Sequence, residues 1–374
     1  MKVITGKTDL TARYDLRNIS PLREMLFFDI ETTGLRKETT QLYLIGCGFF
    51  DEEGTFTVRQ WLTESAGDER EILQEFIEFA KDFSTLVHFN GYGFDIPYIA
   101  YKAEYYGMTM DFVSFKNLDI YKEIRHLKKF LGLPRMNQTT VEDFLKVERE
   151  DTMDGGKLIP YYYEYEKNGD PLCEHLLLLH NFDDIKGMLQ LTSALAYADV
   201  FKNGFEYKGT EVVRTIEGPA VVIIEGRLEN PVPVPVSHGK KLYEDEDDLL
   251  ICMENELLQI NLRLFEGEGR LPLKDVENYY YLPAEDRVIH KDVGAFVDKR
   301  FRKKATAKNC FLKTEGQFAP CFCTDFQGRR VFEIPCVRGR RTVSVPALEA
   351  DVFADLTPEE GRYLLETILA TAIR

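Results

Sequence analysis

The sequence predicts an α/β domain over residues 20–203, a mixed sheet flanked by helices, followed by a second, mainly β domain over residues 204–374. Three adjacent strand-like runs followed by alternating helix and strand point to the first, because such an order pairs the early strands antiparallel and the later ones parallel. A change of texture near residue 204, beyond which short β runs and turn residues dominate, points to the second. With 374 residues, 44% of them hydrophobic and 12% aromatic, the chain has material for two cores.

Leu26, Phe27, Phe28 and Ile30 mark the first strand. QLYLIGCGFF (41–50) and TFTVRQWL (55–62) read as the next two, and Asp51-Glu52-Glu53-Gly54 between them is a hairpin signal, so the three should form an antiparallel meander. Ile72, Leu73, Phe76, Ile77, Phe79, Ala80 and Phe83 recur at helical spacing over 69–83. TLVHFNG (85–91) is another buried strand ending in a glycine-rich bend, and helical patterns follow at 96–106, 119–131, 141–145 and, as one long helix, 173–201. In the second domain EVVRTIEG, AVVIIEGRL, DLLICMEN, LLQINLRLF, YYYLP, RRVFEIPCV and RTVSVPAL read as strands, with the proline-rich NPVPVPVSHG as a separator. YEDEDD (243–248) reads as a solvated loop, and residues 357–373 as an amphipathic helix opening with Thr-Pro-Glu-Glu.

The net charge of −16 is unevenly spread: residues 1–200 carry 22 basic against 34 acidic residues, but residues 299–341 carry 12 against 3. A locally basic surface can hold phosphate on an acidic protein, so the total excludes little. No apolar run approaches the roughly 20 residues that span a bilayer. The opening residues lack the apolar core of a signal peptide. Seven scattered cysteines read as reduced thiols, so the expected setting is cytoplasmic, away from membranes. The C-x-C among Cys310, Cys321, Cys323 and Cys336 lacks the spacing of a zinc knuckle.

Asp29 and Glu31 lie two apart on the first strand and therefore share a face. Paired carboxylates in apolar surroundings call for a positive partner, and hard oxygen ligands favour magnesium or manganese. The alternative is a strand end with two solvated acids. Thr32, Thr33 and Gly34 then turn the chain, so backbone could approach a ligand. A two-metal site needs about four carboxylates. Asp95, in HFNGYGFDIPYI just after a buried strand, is a candidate ligand or an N-cap. In LLLLHNFDDIKGMLQL, His180 and Asp184 are four apart on one helix face with Leu177, Met188 and Leu191. Asp184 is preferred for its spacing to His180, with Asp183 as the alternative; a lone inward histidine such as His180 is more often a satisfied core residue than a catalyst.

FFDIETTGL, FNGYGFDIP and HNFDD, in this order and tens of residues apart, resemble the three exonuclease motifs of the DEDD superfamily, and NLDIYKEIRHLKKFLGLP resembles the segment between the last two. The resemblance covers about residues 20–200, is nearest to the YprB-like branch, and implies a ribonuclease H-like fold. It implies that Asp29, Glu31, Asp95 and Asp184 hold two divalent ions, Mg2+ or Mn2+, and that His180 serves as general base. His180 stands four residues before the last acid, where the superfamily has tyrosine; its histidine version stands five before, which here is Leu179. It further implies stepwise 3′→5′ release of nucleotides from single-stranded 3′ ends, with the backbone of Thr32, Gly34 and Leu35, together with Asn90 and Phe94, cradling the terminal nucleotide. DNA is the expected substrate. An RNA 3′ exonuclease is the alternative within the same chemistry, and a non-catalytic nucleic-acid-binding protein the alternative outside it. Lys299, Arg300, Arg302, Lys303, Lys304 and Lys308, with Arg338, Arg340 and Arg341 further on, could follow a phosphate backbone, and Phe296, Phe301 and Phe311 among them could stack on bases. A solvated face over core aromatics is the competing reading. Arg125, Lys128 and Lys129 form a second candidate phosphate contact.

Overall fold

In a computed structural model of the chain, the apolar run around Asp29 becomes the central strand of a six-stranded sheet. The structure describes all residues except 152, 154, 215–219, 244–247, 339–340 and 374, and the side chains of 337 and 338 also lie outside it. The chain divides into two units, Met1–Asp199 and Val200–Arg374.

The sheet of the first unit contains β1 (Lys2–Lys7), β2 (Met25–Thr32), β3 (Leu42–Phe50), β4 (Phe56–Leu62), β5 (Thr85–His88) and β6 (Lys116–Asp119), in the order β1-β4-β3-β2-β5-β6. β2, β3 and β4 form the expected meander. β2-β5 and β5-β6 are parallel, as the helical crossovers require. β1 begins ahead of residue 20 and pairs with β4 from Lys2↔Leu62 to Lys7↔Thr57. Its six residues are mostly polar and none is buried, so no hydrophobic alternation announces it. β6, KNLD, is shorter still and also mostly polar.

The helices are α1 (Glu69–Ala80), α2 (Asp95–Tyr105), α3 (Ile120–Ile124), α4 (Gln138–Leu145), α5 (Gly155–Asn168), α6 (Pro171–Leu191) and α7 (Leu195–Val200). The expected helix over 173–201 is interrupted at 192–194. There the Thr192 and Ser193 hydroxyls donate back to the carbonyls of Leu189 (2.6 Å) and Gln190 (2.7 Å), which tightens the turn. α5 was not expected, since Pro160 falls inside it and tyrosines crowd it. It is held by packing: Leu158, Tyr162 and Tyr165 join Tyr43, Leu44, Leu62 and Leu177 in one core.

The two faces of β2 go to different helices. Leu26, Phe28 and Ile30 pack with Ile72, Phe76, Tyr98 and Ile99 of α1 and α2. Asp29 and Glu31, on the opposite face, meet α6. That helix comes close because β3 carries glycine at two alternate positions, Gly46 opposite Asp29 and Gly48 opposite Phe27. A Cβ on Gly48 would stand 2.7 Å from Ile185 of α6.

The second unit contains β7 (Phe205–Val213), β8 (Val221–Lys240), β9 (Leu249–Arg263), β10 (Phe265–Pro272), β11 (Tyr279–Leu282), β12 (Arg287–His290), α8 (Lys291–Gly294), β13 (Lys303–Lys304), β14 (Phe311–Pro320), β15 (Phe332–Arg338), β16 (Arg341–Glu349) and α9 (Pro358–Ala372). It forms two three-stranded sheets, β7-β8-β9 and β12-β11-β13, and a closed barrel, β10-β14-β16-β15. The proline-rich piece is no separator; it continues β8. Pro231, Pro233 and Pro235 are at alternate positions, so their missing N–H groups fall on one edge, and beyond Leu228 β8 pairs only with β9. Of YEDEDD, residues 244–247 lie outside the described residues, but Asp248 is buried and accepts the amides of Leu242 (2.8 Å) and Tyr243 (2.7 Å). α9 opens, as the sequence suggests, with a capping box between Thr357 and Glu360. Gly361 lets it lie on β7, since a Cβ there would stand 2.3 Å from the Tyr207 ring.

Candidate metal centre

Four carboxylates and one imidazole meet where β2, the start of α2 and the middle of α6 converge. β2 stops pairing with β5 after Phe27, which frees the Ile30 amide to donate to Asp95 Oδ1 at 3.3 Å. Asp95 is therefore tied to β2 rather than acting as an N-cap; the capping position is Phe94, without a side-chain bond. From α6, Asn181 donates to Asp29 Oδ2 at 3.0 Å and accepts from Gln60 at 2.9 Å. Its neighbour His180 places Nε2 3.4 Å from Glu31 Oε1 and 3.5 Å from Asp184 Oδ2.

Burial and mutual repulsion work together on the acids. Burial, then Asp184, Asp95 and Glu31, hold the Asp29 carboxyl well above its ordinary range against the pull of Asn181. Burial raises Glu31 to about 8; His180 pulls it down while Asp184, Asp95 and Asp151 push it up. Asp95 rises to about 7, mainly through burial. Burial also raises Asp184, although His180 and Arg149 oppose it. For His180 burial alone would lower the pKa, but Asp184 and Glu31 outweigh it and the net shift is upward. These shifts share two causes, burial of the acids first and the crowding of negative charge among them second.

The donors fit a divalent cation. Glu31, His180 and Asp184 each bring one ligand atom within 4.8 Å of one another, the one such group among the described residues. Asp29 and Asp95 are close enough to raise the proton affinity of their neighbours. Asp183 faces elsewhere. It accepts the amides of Glu150 (2.7 Å) and Asp151 (2.8 Å) and pairs with Lys186 at 2.8 Å.

The residues suggested as a nucleotide cradle are more scattered in role. Thr32 donates to the Gly34 carbonyl at 2.9 Å. Leu35 is 86% exposed. Asn90 has positive φ and its amide donates to Asp119 at 2.9 Å, while Phe94 packs on Tyr98 at the edge of the α1–α2 core.

Four residues that sequence reading passed over complete the centre. Arg149 places one nitrogen 2.7 Å from Asp184 Oδ1 and another 2.7 Å from the buried Glu142. Asp151 Oδ2 lies 2.6 Å from His180 Nδ1. Asn181 and Glu142 are the others. Arg149 and Asp151 sit in a charged run, Glu148 to Asp151, that looks like any solvated loop. The adjacency of Asn181 to His180 was the one legible signal.

Residues 26–196 match the RNase_H superfamily. The first unit is thus a ribonuclease H-like α/β domain in fold, and the second is a separate, mainly β region. No curated protein sequence matches the chain. Among solved structures, the family B DNA polymerase of the archaeon Pyrobaculum calidifontis is 15% identical with a TM-score of 0.38, over 67% of this chain and 34% of that one. Escherichia coli exonuclease I bound to a dA16 oligonucleotide is 11% identical with a TM-score of 0.27, over 62% of this chain and 54% of that one. The chain spans a third to about half of these proteins, and likenesses at this level carry no weight here. No helix among the described residues is long and apolar enough to cross a membrane.

Proposed function

We propose that the first unit is a metal-dependent 3′→5′ exonuclease of the DEDD type, nearest its YprB-like branch, acting on single-stranded 3′ ends, with DNA as the substrate. One observation carries the reading: Glu31, His180 and Asp184 converge beside Asp29 and Asp95, acids whose proton affinity burial and mutual repulsion raise together. Asp29, Glu31, Asp95 and Asp184 would hold Mg2+ or Mn2+, as two ions. Bound there, divalent ions supply an activated water and stabilise the charge that develops on the leaving 3′ oxygen. The chain's own part is to fix the carboxylates: Asn181 orients Asp29, the Ile30 amide orients Asp95, and Arg149 neutralises the far side of Asp184. His180 is assigned to the ion rather than to the base role, because its Nε2 lone pair cannot serve both and two ligand oxygens already face it.

The basic segment of the second unit supports a nucleic-acid partner. Lys303 and Lys304 are exposed on β13, and Phe296 and Phe301 are 93% and 59% exposed beside them. Arg302 is spent internally, over the Tyr280 ring at 4.3 Å, and Phe311 lies under Arg270. Arg340 lies outside the described residues. The segment would hold a strand through lysines and stacking.

The test uses a 5′-labelled single-stranded oligonucleotide, DNA in one arm and RNA in the other, with manganese. Wild type should produce a descending ladder, faster on DNA, while Asp29→Ala and Asp184→Ala should lose it by about 100-fold or more, in line with about 3 kcal/mol per lost site group. Ladders that survive both substitutions would overturn the assignment.

A further inference from the structure

The loop at residues 149–151 is pinned to α6 in a way that packing alone does not require. Asp183, beside the ligand Asp184, turns its carboxylate away from the cluster and accepts two successive loop amides, Glu150 at 2.7 Å and Asp151 at 2.8 Å. Lys186, one turn on, balances its charge at 2.8 Å. So fixed, Asp151 projects into the protein, where its side chain is 3% exposed and Oδ2 lies 2.6 Å from His180 Nδ1. The other ring nitrogen faces Glu31 and Asp184 at 3.4 and 3.5 Å. A proton held on Nδ1 by a carboxylate leaves Nε2 with its lone pair directed at those two oxygens' common space.

Resting on the metal-centre reading above, we propose that Asp151 is a positioning residue that makes His180 a nitrogen ligand, and that the centre therefore selects a first-row transition dication such as Mn2+ over Mg2+. Imidazole suits transition ions, whereas Mg2+ keeps to oxygen and water. Asp183 is the clamp that holds Asp151 in place. The adjacent acids Asp183 and Asp184 thus divide the work, one facing the loop and one facing the ion.

The experiment is calorimetric titration of the full chain with MnCl2 and with MgCl2, alongside electron spin-echo spectroscopy of the Mn2+-loaded protein. Wild type should bind Mn2+ at least about 10-fold more tightly than Mg2+, and the echo should carry the modulation of a directly bound imidazole nitrogen, absent in His180→Ala. Asp151→Ala should weaken Mn2+ binding by about 10–100-fold, the usual effect of removing such a partner. Asp151→Asn, whose oxygen still accepts the Nδ1 proton, should stay within a few-fold of wild type. Equal losses in the two Asp151 variants would show that only its charge matters and would overturn the proposal. So would a Mn2+ echo without nitrogen modulation, a measurement on wild type that no folding defect can cloud. A wild-type chain that binds neither ion would bring down the metal-centre reading itself.

Discussion

Gly46→Ala should damage the first unit through a residue that has no side chain to contribute to the centre. Its added Cβ would stand 1.9 Å from Asn181 Oδ1, 2.7 Å from Cγ and 2.8 Å from Nδ2, all on one side-chain amide. Nothing closer than about 3 Å is tolerated, so the amide must move by roughly 1 Å. Asn181 is fully buried and Gln60 nearly so, so neither can swing into water. The bonds to Gln60 (2.9 Å) and Asp29 (3.0 Å) are then lost or badly stretched. Leaving buried groups unsatisfied costs about 1–3 kcal/mol each, and overpacking adds about 1–3 kcal/mol. The stiffer alanine backbone returns about 0.5 kcal/mol. A net loss of about 3 kcal/mol is expected. Trp61, the single tryptophan, is buried in β4, so its fluorescence in urea reports this unit by itself. In an Asn181→Ala background the same substitution should cost less than about 1 kcal/mol, because the obstructing amide is gone, a coupling of about 2 kcal/mol. If Gly46→Ala costs the same in both backgrounds, the close approach of α6 to β3 is not what the glycine permits.

Glu31 and Asp95, raised to about 8 and about 7, bind protons more tightly folded than unfolded, as does His180. The stability they lend is complete below the unfolded carboxylate values and is lost as pH rises to about 8, so the metal-free protein should show a lower urea midpoint at pH 8 than at pH 5. Added Mn2+ should reverse the difference, with protons released on binding and detected by calorimetry in buffers of different ionisation enthalpy. Arg149→Ala strands Glu142, which is 1% exposed, and should cost about 3 kcal/mol. Glu142→Gln in the same chain should recover part of that, again read from Trp61. Thr357→Ala removes the cap that holds the Glu360 amide and should cost the second unit about 1 kcal/mol, measured by circular dichroism on heating.

Sequence patterning made the strands of the first sheet visible wherever one face was apolar, as in β2 to β5, and the capping signals made α9 visible. It did not reveal β1 or β6, whose few apolar residues do not alternate, because they are held by ladder hydrogen bonds that any side chains permit. Nor did it reveal α5, where Pro160 and clustered tyrosines hide a helix that exists because Tyr162 stacks on Tyr43 at 4.3 Å. The proline-rich stretch misled for a related reason: proline forbids a ladder on one edge only, and β8 needs only one.

By itself the order of residues determined that Asp29 and Glu31 share a face and that His180 and Asp184 share another, since both follow from the periods of strand and helix. Which acid of the Asp183–Asp184 pair turns toward the cluster, and that Asp151 and Arg149 complete it, was decided by tertiary contacts. Those contacts join positions about 30 or more apart in the chain, such as Asp151 to His180 and Asn181 to Asp29, and no local period encodes a meeting of that kind.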